Sequence, residues 1–188
     1  MKTKNLNTAV IIISLIAFLA FWNCSKDDDS LKEVSGFVLS SPEIAIDSLL
    51  PIDYTCDGES ATLPLEWSGA PDETVSFALI MHHEASPTDI HWYWVLYNIP
   101  VSINSLPRNV SGTGIPGTNS VNDKTGYSPP CSQGPGIKAY TYTVYALSQN
   151  PSLSVAPDLV TWEVLLNAIE GITLSSAKMT VYYSRNIK

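Results

Sequence analysis

The chain has 188 residues, with 10 Lys and Arg against 18 Asp and Glu, a net charge of −8, 45% hydrophobic residues and 15% charged ones. That length suits one domain with a core large enough to stand without disulfide staples. The acidic balance excludes non-specific nucleic-acid binding, which needs a basic face, and 10 Gly with 13 Pro are too few for a fibrous or disordered chain.

Taken in chain order, the first element is an address. Lys2 and Lys4 precede a nearly unbroken apolar run, Thr8–Trp22. Its 15 residues fall short of the about 20 that a membrane span needs, and they fit the h-region of a secretory signal. Cys24 follows, then Ser25-Lys26-Asp27-Asp28-Asp29-Ser30. This segment resembles a bacterial lipoprotein signal, with Trp22 and Asn23 where small residues are usual. The resemblance implies a signal peptide over residues 1–23 and lipidation of Cys24. The aspartate run resembles a surface-export signal. Adjacent aspartates repel and stay solvated, so residues 24–34 are expected to form an acidic flexible tether. Loss of Lys2 and Lys4 takes the net charge from −8 to −10. The implied location is the cell envelope, with the anchor in the outer membrane and the protein surface-exposed. Two acyl chains hold a protein on a membrane stably, where one does so only marginally.

Residues 35–188 read as one mostly β domain, without an internal repeat. Gly36–Leu39 predicts a short strand. Thr74–His83 is apolar and β-branched, the pattern of a central strand. Ile90–Ile99 is dense in aromatics of high β-propensity. Pro100 to Pro135 is rich in Gly, Pro, Ser and Asn and reads as long loop, which inside a compact domain is often functional and directs attention to residues 100–139. Tyr140–Leu147 opens in strict alternation, and Thr180–Ser184 reads as a last strand. Between them, Leu159, Trp162, Leu165, Leu166 and Ile169 recur at helical spacing after Pro157-Asp158, with Gly171 as a stop. A second short turn of helix is expected over Leu174–Lys178.

Three groups of residues could carry chemistry. His82, His83 and His91 fall within ten residues, with Glu84 among them. Imidazole is the commonest metal ligand, but strand neighbours point to opposite faces, so His82 and His83 do not share an ion. No HxH or HExxH spacing occurs, and neither metal nor cofactor is expected. The second group is the shaped loop Gly126–Gly136, leading into Lys138 and Tyr140. These two share strand parity, and a cation and a phenol on one face beside a rigid loop suit an anion. The third is Cys56 and Cys131, both in turn-rich loops. An oxidising envelope permits a disulfide between them, with a cysteine nucleophile as the rival reading. G-x-S-x-G, P-loop and dinucleotide fingerprints are absent.

Several motifs then stand in order. They are Tyr54-Thr55-Cys56-Asp57-Gly58, Pro64–Pro71 (PLEWSGAP), Trp94–Pro100 (WVLYNIP), Gly117-Thr118-Asn119-Ser120, Gly126-Tyr127 with Pro130-Cys131, and Tyr140 through Tyr145-Ala146-Leu147. The ordered set resembles the phosphatidylethanolamine-binding protein family, in its bacterial Raf-kinase-inhibitor-like (YbhB/YbcL-type) branch, over about residues 35–187. The resemblance implies an antiparallel β-sandwich with one or two short C-terminal helices. It also implies a small anion pocket at one end of the sandwich. The family builds that pocket from an Asp-Pro-Asp-Ala-Pro segment, a histidine before a strand tryptophan, a Gly-Pro loop and a His-Arg-Tyr run. Here the first falls on His83-Glu84-Ala85-Ser86-Pro87, so His83 stands where the first acid would be. The strand histidine falls on Tyr93, before Trp94, with His91 two residues earlier and at the same parity. The Gly-Pro pair falls on Pro129-Pro130, and the His-Arg-Tyr run on Lys138-Ala139-Tyr140.

An acid has given way to His83 and a histidine to Lys138, and both changes make the pocket more attractive to anions. The expected function is therefore non-enzymatic. It is the binding of a small anion or phospholipid head group through His83, His91, Tyr93, Pro130, Lys138 and Tyr140, on a protein held at the membrane through Cys24. Two rivals stand beside it. One is a protein-interaction module that inhibits a kinase or protease, which the family resemblance suggests only at the level of fold. The other is a hydrolase using His83, His91 and Glu84 as acid–base groups or metal ligands.

Overall fold

The computed structural model describes residues 36–134 and 136–185. The expected signal peptide, the expected lipidation site Cys24 and the expected tether lie outside the described residues.

Alternation of buried and exposed residues marks the small sheet. In β2 (Leu65–Ser68), Leu65 and Trp67 are buried while Glu66 and Ser68 face solvent. It pairs antiparallel with β1 (Val38–Ser40) on one side and β5 (Ser105–Leu106) on the other. A second sheet has the order β6-β4-β3-β7-β8, all antiparallel. Its strands are β3 (Ser76–Ser86), β4 (Asp89–Pro100), β6 (Ile115–Pro116), β7 (Lys138–Leu147) and β8 (Thr173–Tyr183). The central strand β3 is buried continuously from Ser76 to Met81 because both of its faces are covered. Phe77, Leu79 and Met81 point into the core shared with the small sheet. Ala78 and Ile80 point the other way, against α1 (Trp162–Ile169), which buries Leu165 and Ile169 there. The result is an antiparallel β-sandwich with one α-helix backing the larger sheet.

The predicted strands overlap β1, β3, β4, β7 and β8, with shifted ends. The helix starts later than Pro157. Residues Pro157–Leu159 make a 3-10 turn, Val160 is extended, and Thr161 caps the helix by accepting from Val164 N at 3.3 Å. The expected second helical turn over Leu174–Lys178 is instead strand. β7 offers a ten-residue ladder, and Thr173 through Tyr183 pair along it, with Ala177, Met179, Val181 and Tyr183 facing inward. Ladder bonds and period-2 burial outweigh a helical preference that lacked an apolar stripe.

The long loop is ordered by Asn119, which is 1% exposed. Its amide donates to Lys124 O at 2.8 Å and Gly126 O at 3.2 Å, and its carbonyl accepts from Val121 N and Asn122 N. Gly117 lies so close to Val160 O that a Cβ there would sit 2.4 Å from it. These contacts set the path that returns the chain past Ser128 and Pro130 to β7.

Candidate functional site

The inner faces of β3, β4 and β7 converge at one end of the sandwich. His83 stands at that end of β3, where it is 9% exposed. Its Nδ1 lies 2.8 Å from Ala139 O. A carbonyl can only accept, so Nδ1 carries the proton, and in the neutral ring Nε2 is left as an acceptor. The imidazole lies 5.5 Å from the Tyr140 ring, and Tyr93 meets Tyr140 edge-on at 5.2 Å. Tyr93 reaches this side because the β3–β4 register shifts between Met81 and His82, which are paired with Trp94 and Trp92. That bulge lets Tyr93 and Trp94, adjacent in sequence, enter the same core. Tyr140 is fully buried beside the Tyr93 phenol, and among the described residues its hydroxyl has no partner of normal hydrogen-bond geometry. Burial pushes the Tyr140 and Tyr93 phenols above their usual range, so both remain neutral donors.

Two loops close this end. Cys56 and Cys131 are joined as a disulfide with a Cα separation of 5.2 Å. Beside it, Cys56 N donates to Pro130 O at 3.0 Å and Ser128 N to Tyr93 O at 2.8 Å. Tyr127 OH donates to Tyr54 O at 3.1 Å, tying the same two loops. Lys138 is half-buried at the start of β7, directly across from Tyr183 on β8. The Tyr183 hydroxyl donates to Asp57, and Arg185 pairs with the other oxygen of that carboxylate at 2.7 Å. The Tyr183 hydrogen bond, then Arg185, hold the Asp57 carboxyl below its usual range. Arg185 Nη1 also lies 3.6 Å from Cys131 Sγ.

The expected residues therefore divide. His83, Tyr93 and Tyr140 are brought into contact, Pro130 lies in the closing loop, and Lys138 begins the strand that carries Tyr140. His91 is the cross-strand partner of His83, but its side chain is 45% exposed and pairs with Asp89 at 3.1 Å. Strand alternation puts His82 and Glu84 on the outer face, 3.2 Å apart, so the His83–His91–Glu84 set does not converge. His82 instead stacks on Trp162, which stacks in turn on Trp92. Among the described residues, no group of three or more His, Cys, Asp or Glu side chains is placed to hold a metal. Sequence reasoning missed Asp57, Tyr183 and Arg185. The one available signal was the position of Asp57 beside Cys56.

A family model described as phosphatidylethanolamine-binding protein matches residues 40–184. A UPF0098 protein of Methanothermobacter thermautotrophicus is 37% identical over 141 residues, covering 72% of this chain and 91% of that protein. UPF0098 protein YbcL of Escherichia coli is 28% identical over 116 residues, covering 57% of this chain and 58% of YbcL. The crystal structure of CT736, a phosphatidylethanolamine-binding protein homologue from Chlamydia trachomatis, superposes with a TM-score of 0.73 at 26% identity, covering 80% of this chain and 99% of that one.

Proposed function

The chain belongs to the phosphatidylethanolamine-binding protein family, in its YbcL-type branch, and from that premise we propose that it is a non-enzymatic envelope lipoprotein that binds a small anion or a phosphate-bearing head group. The observation that carries this reading is the Tyr140 hydroxyl, buried and without a hydrogen-bond partner among the described residues, on a ring that packs against His83 and Tyr93. A buried donor left unpaired costs about 1–3 kcal/mol, and a ligand oxygen recovers that cost. Lys138 supplies positive charge on the same strand face as Tyr140. His83 adds an acceptor for a protonated ligand oxygen, which a phosphate carries and a carboxylate at neutral pH does not. In this reading Cys24 carries the lipid anchor, and the domain stands at the outer membrane facing outward.

Calorimetry of the full chain in detergent with phosphate, phosphoethanolamine and acetate tests the proposal. The two phosphates are expected to bind and acetate to bind more weakly. A hydrogen bond to a charged group contributes about 1.5–3 kcal/mol, so Lys138→Ala lowers phosphate affinity by tenfold or more. Absence of binding, or equal binding by Lys138→Ala, refutes it.

A further inference from the structure

The Cys56–Cys131 bond lies at the mouth of this site and not in the core. Both cysteines are half-buried, within reach of a small reductant. The bond joins the two loops that close the site, and Arg185 stands 3.6 Å from one of its two sulfurs. Arg185 is shared, because the same guanidinium neutralises Asp57, which also receives the Tyr183 hydroxyl. Tyr183 in turn faces Lys138 across β7 and β8, so their side chains share a face.

The geometry points to a thiol-sensitive gate on the anion site, in which reduction of Cys56–Cys131 by a small dithiol turns Arg185 from Asp57 toward Cys131 and lowers anion affinity. This inference rests on the binding reading above. The two sulfurs are unequal. A guanidinium stabilises the thiolate of Cys131, which makes it the better leaving group. One thiolate of the dithiol attacks Cys56 Sγ, the S–S bond breaks, and the electron pair leaves on Cys131 Sγ as a thiolate beside Arg185. The dithiol's second thiolate attacks its own sulfur in the mixed disulfide and releases Cys56, which takes up a proton. The dithiol ends as its disulfide and the protein as two cysteines.

Reduction changes the charge of the mouth. In the oxidised protein Arg185 pairs with one carboxylate, Asp57. In the reduced protein the Cys131 thiolate adds a second negative charge and competes with Asp57 for Arg185. Tyr183 remains hydrogen-bonded to Asp57 in either form. One added charge about 10–12 Å from a bound phosphate, at an effective dielectric of about 20, weakens binding by about tenfold. Release of the covalent tie between the loops acts in the same direction, because the site is no longer held closed.

The test compares the full chain in detergent before and after treatment with dithiothreitol. Phosphate affinity is measured by calorimetry. Alkylation of Cys131 by iodoacetamide, followed by mass spectrometry, is measured against pH in the reduced wild type and in Arg185→Gln. The expected results are an about tenfold loss of phosphate affinity on reduction and a Cys131 alkylation curve that moves to higher pH in Arg185→Gln. Phosphate binding by the oxidised chain that reduction leaves unchanged overturns the gate alone. Absence of phosphate binding by the oxidised chain overturns the binding reading and the gate with it. Superposable alkylation curves overturn the role given to Arg185.

Discussion

Replacement of Tyr140 by Phe separates what the site does from what holds the fold. The ring is fully buried and packs on His83 and Tyr93, so Phe keeps the volume and both aromatic contacts. The change removes one hydroxyl that has no hydrogen-bond partner among the described residues. A buried donor without a partner costs about 1–3 kcal/mol, and removing it returns that amount as stability. For a domain of this size, a gain of 1 kcal/mol raises Tm by about 2–4 °C, so Tyr140→Phe is expected to melt about 2–12 °C higher. The same variant loses the donor proposed to meet the ligand, and its phosphate affinity should fall by tenfold or more, as expected for one hydrogen bond to a charged group of about 1.5–3 kcal/mol. Tyr142 is the control: it too is fully buried, with a hydroxyl unpartnered among the described residues, but it lies one strand repeat deeper in the core. Tyr142→Phe should stabilise without touching binding. Thermal unfolding and calorimetry on the two variants decide the matter. A Tyr140→Phe protein that melts lower than wild type, or binds phosphate equally well, refutes the reasoning.

Three further outcomes follow from the geometry. Gly117→Ala would place a Cβ 2.4 Å from Val160 O and 2.8 Å from Val95 Cγ1, and overpacking of this kind costs about 1–3 kcal/mol, to be seen as a lower midpoint in urea. Replacing Cys56 and Cys131 together by Ser opens a loop with a sequence separation of 75, and the loss of chain constraint should remove about 4 kcal/mol; an unchanged urea midpoint would contradict this. Burial holds the His82 imidazole below its ordinary value of 6.5. The folded state then binds fewer protons than the unfolded state, so stability is full above about pH 6.5 and falls below it, by at most ~1.4 kcal/mol per pH unit, until the folded-state pKa is reached. Melting curves of His82→Gln should be flatter than wild type between about pH 5 and 7, and parallel curves would count against the assignment.

Some of this architecture was legible because single strands announce themselves. The runs SFALIM in β3 and WVLYNI in β4 are apolar on both faces, and both faces are in fact covered. The paired positions of Lys138 and Tyr140 followed from alternation alone. The first half of β8 was not legible. Leu174-Ser175-Ser176 has no strong strand character of its own and becomes strand because β7 lies beside it. Tyr93 marks the limit of the parity argument, since a bulge two residues from His91 turns it into the core while the imidazole of His91 stays with Asp89.

The residues at the mouth of the site were out of reach for a different reason. Asp57, Tyr183 and Arg185 come from the two ends of the domain, and nothing in local spacing relates a carboxylate in a turn to a guanidinium just beyond the last strand. They meet because the disulfide holds the turn of Cys56 against the loop of Cys131, and because β8 runs the full length of β7 and delivers Arg185 to the same end. Extension of β8 and closure of the site are thus one event. Had Leu174–Lys178 formed a helical turn, β8 would have been a short strand, with only its last residues paired to β7. Tyr183 and Arg185 would then hang from a few ladder bonds, too loosely held to present Asp57 with a hydrogen bond and a charge together. The residues misjudged in sequence are those whose true conformation positions the mouth of the site.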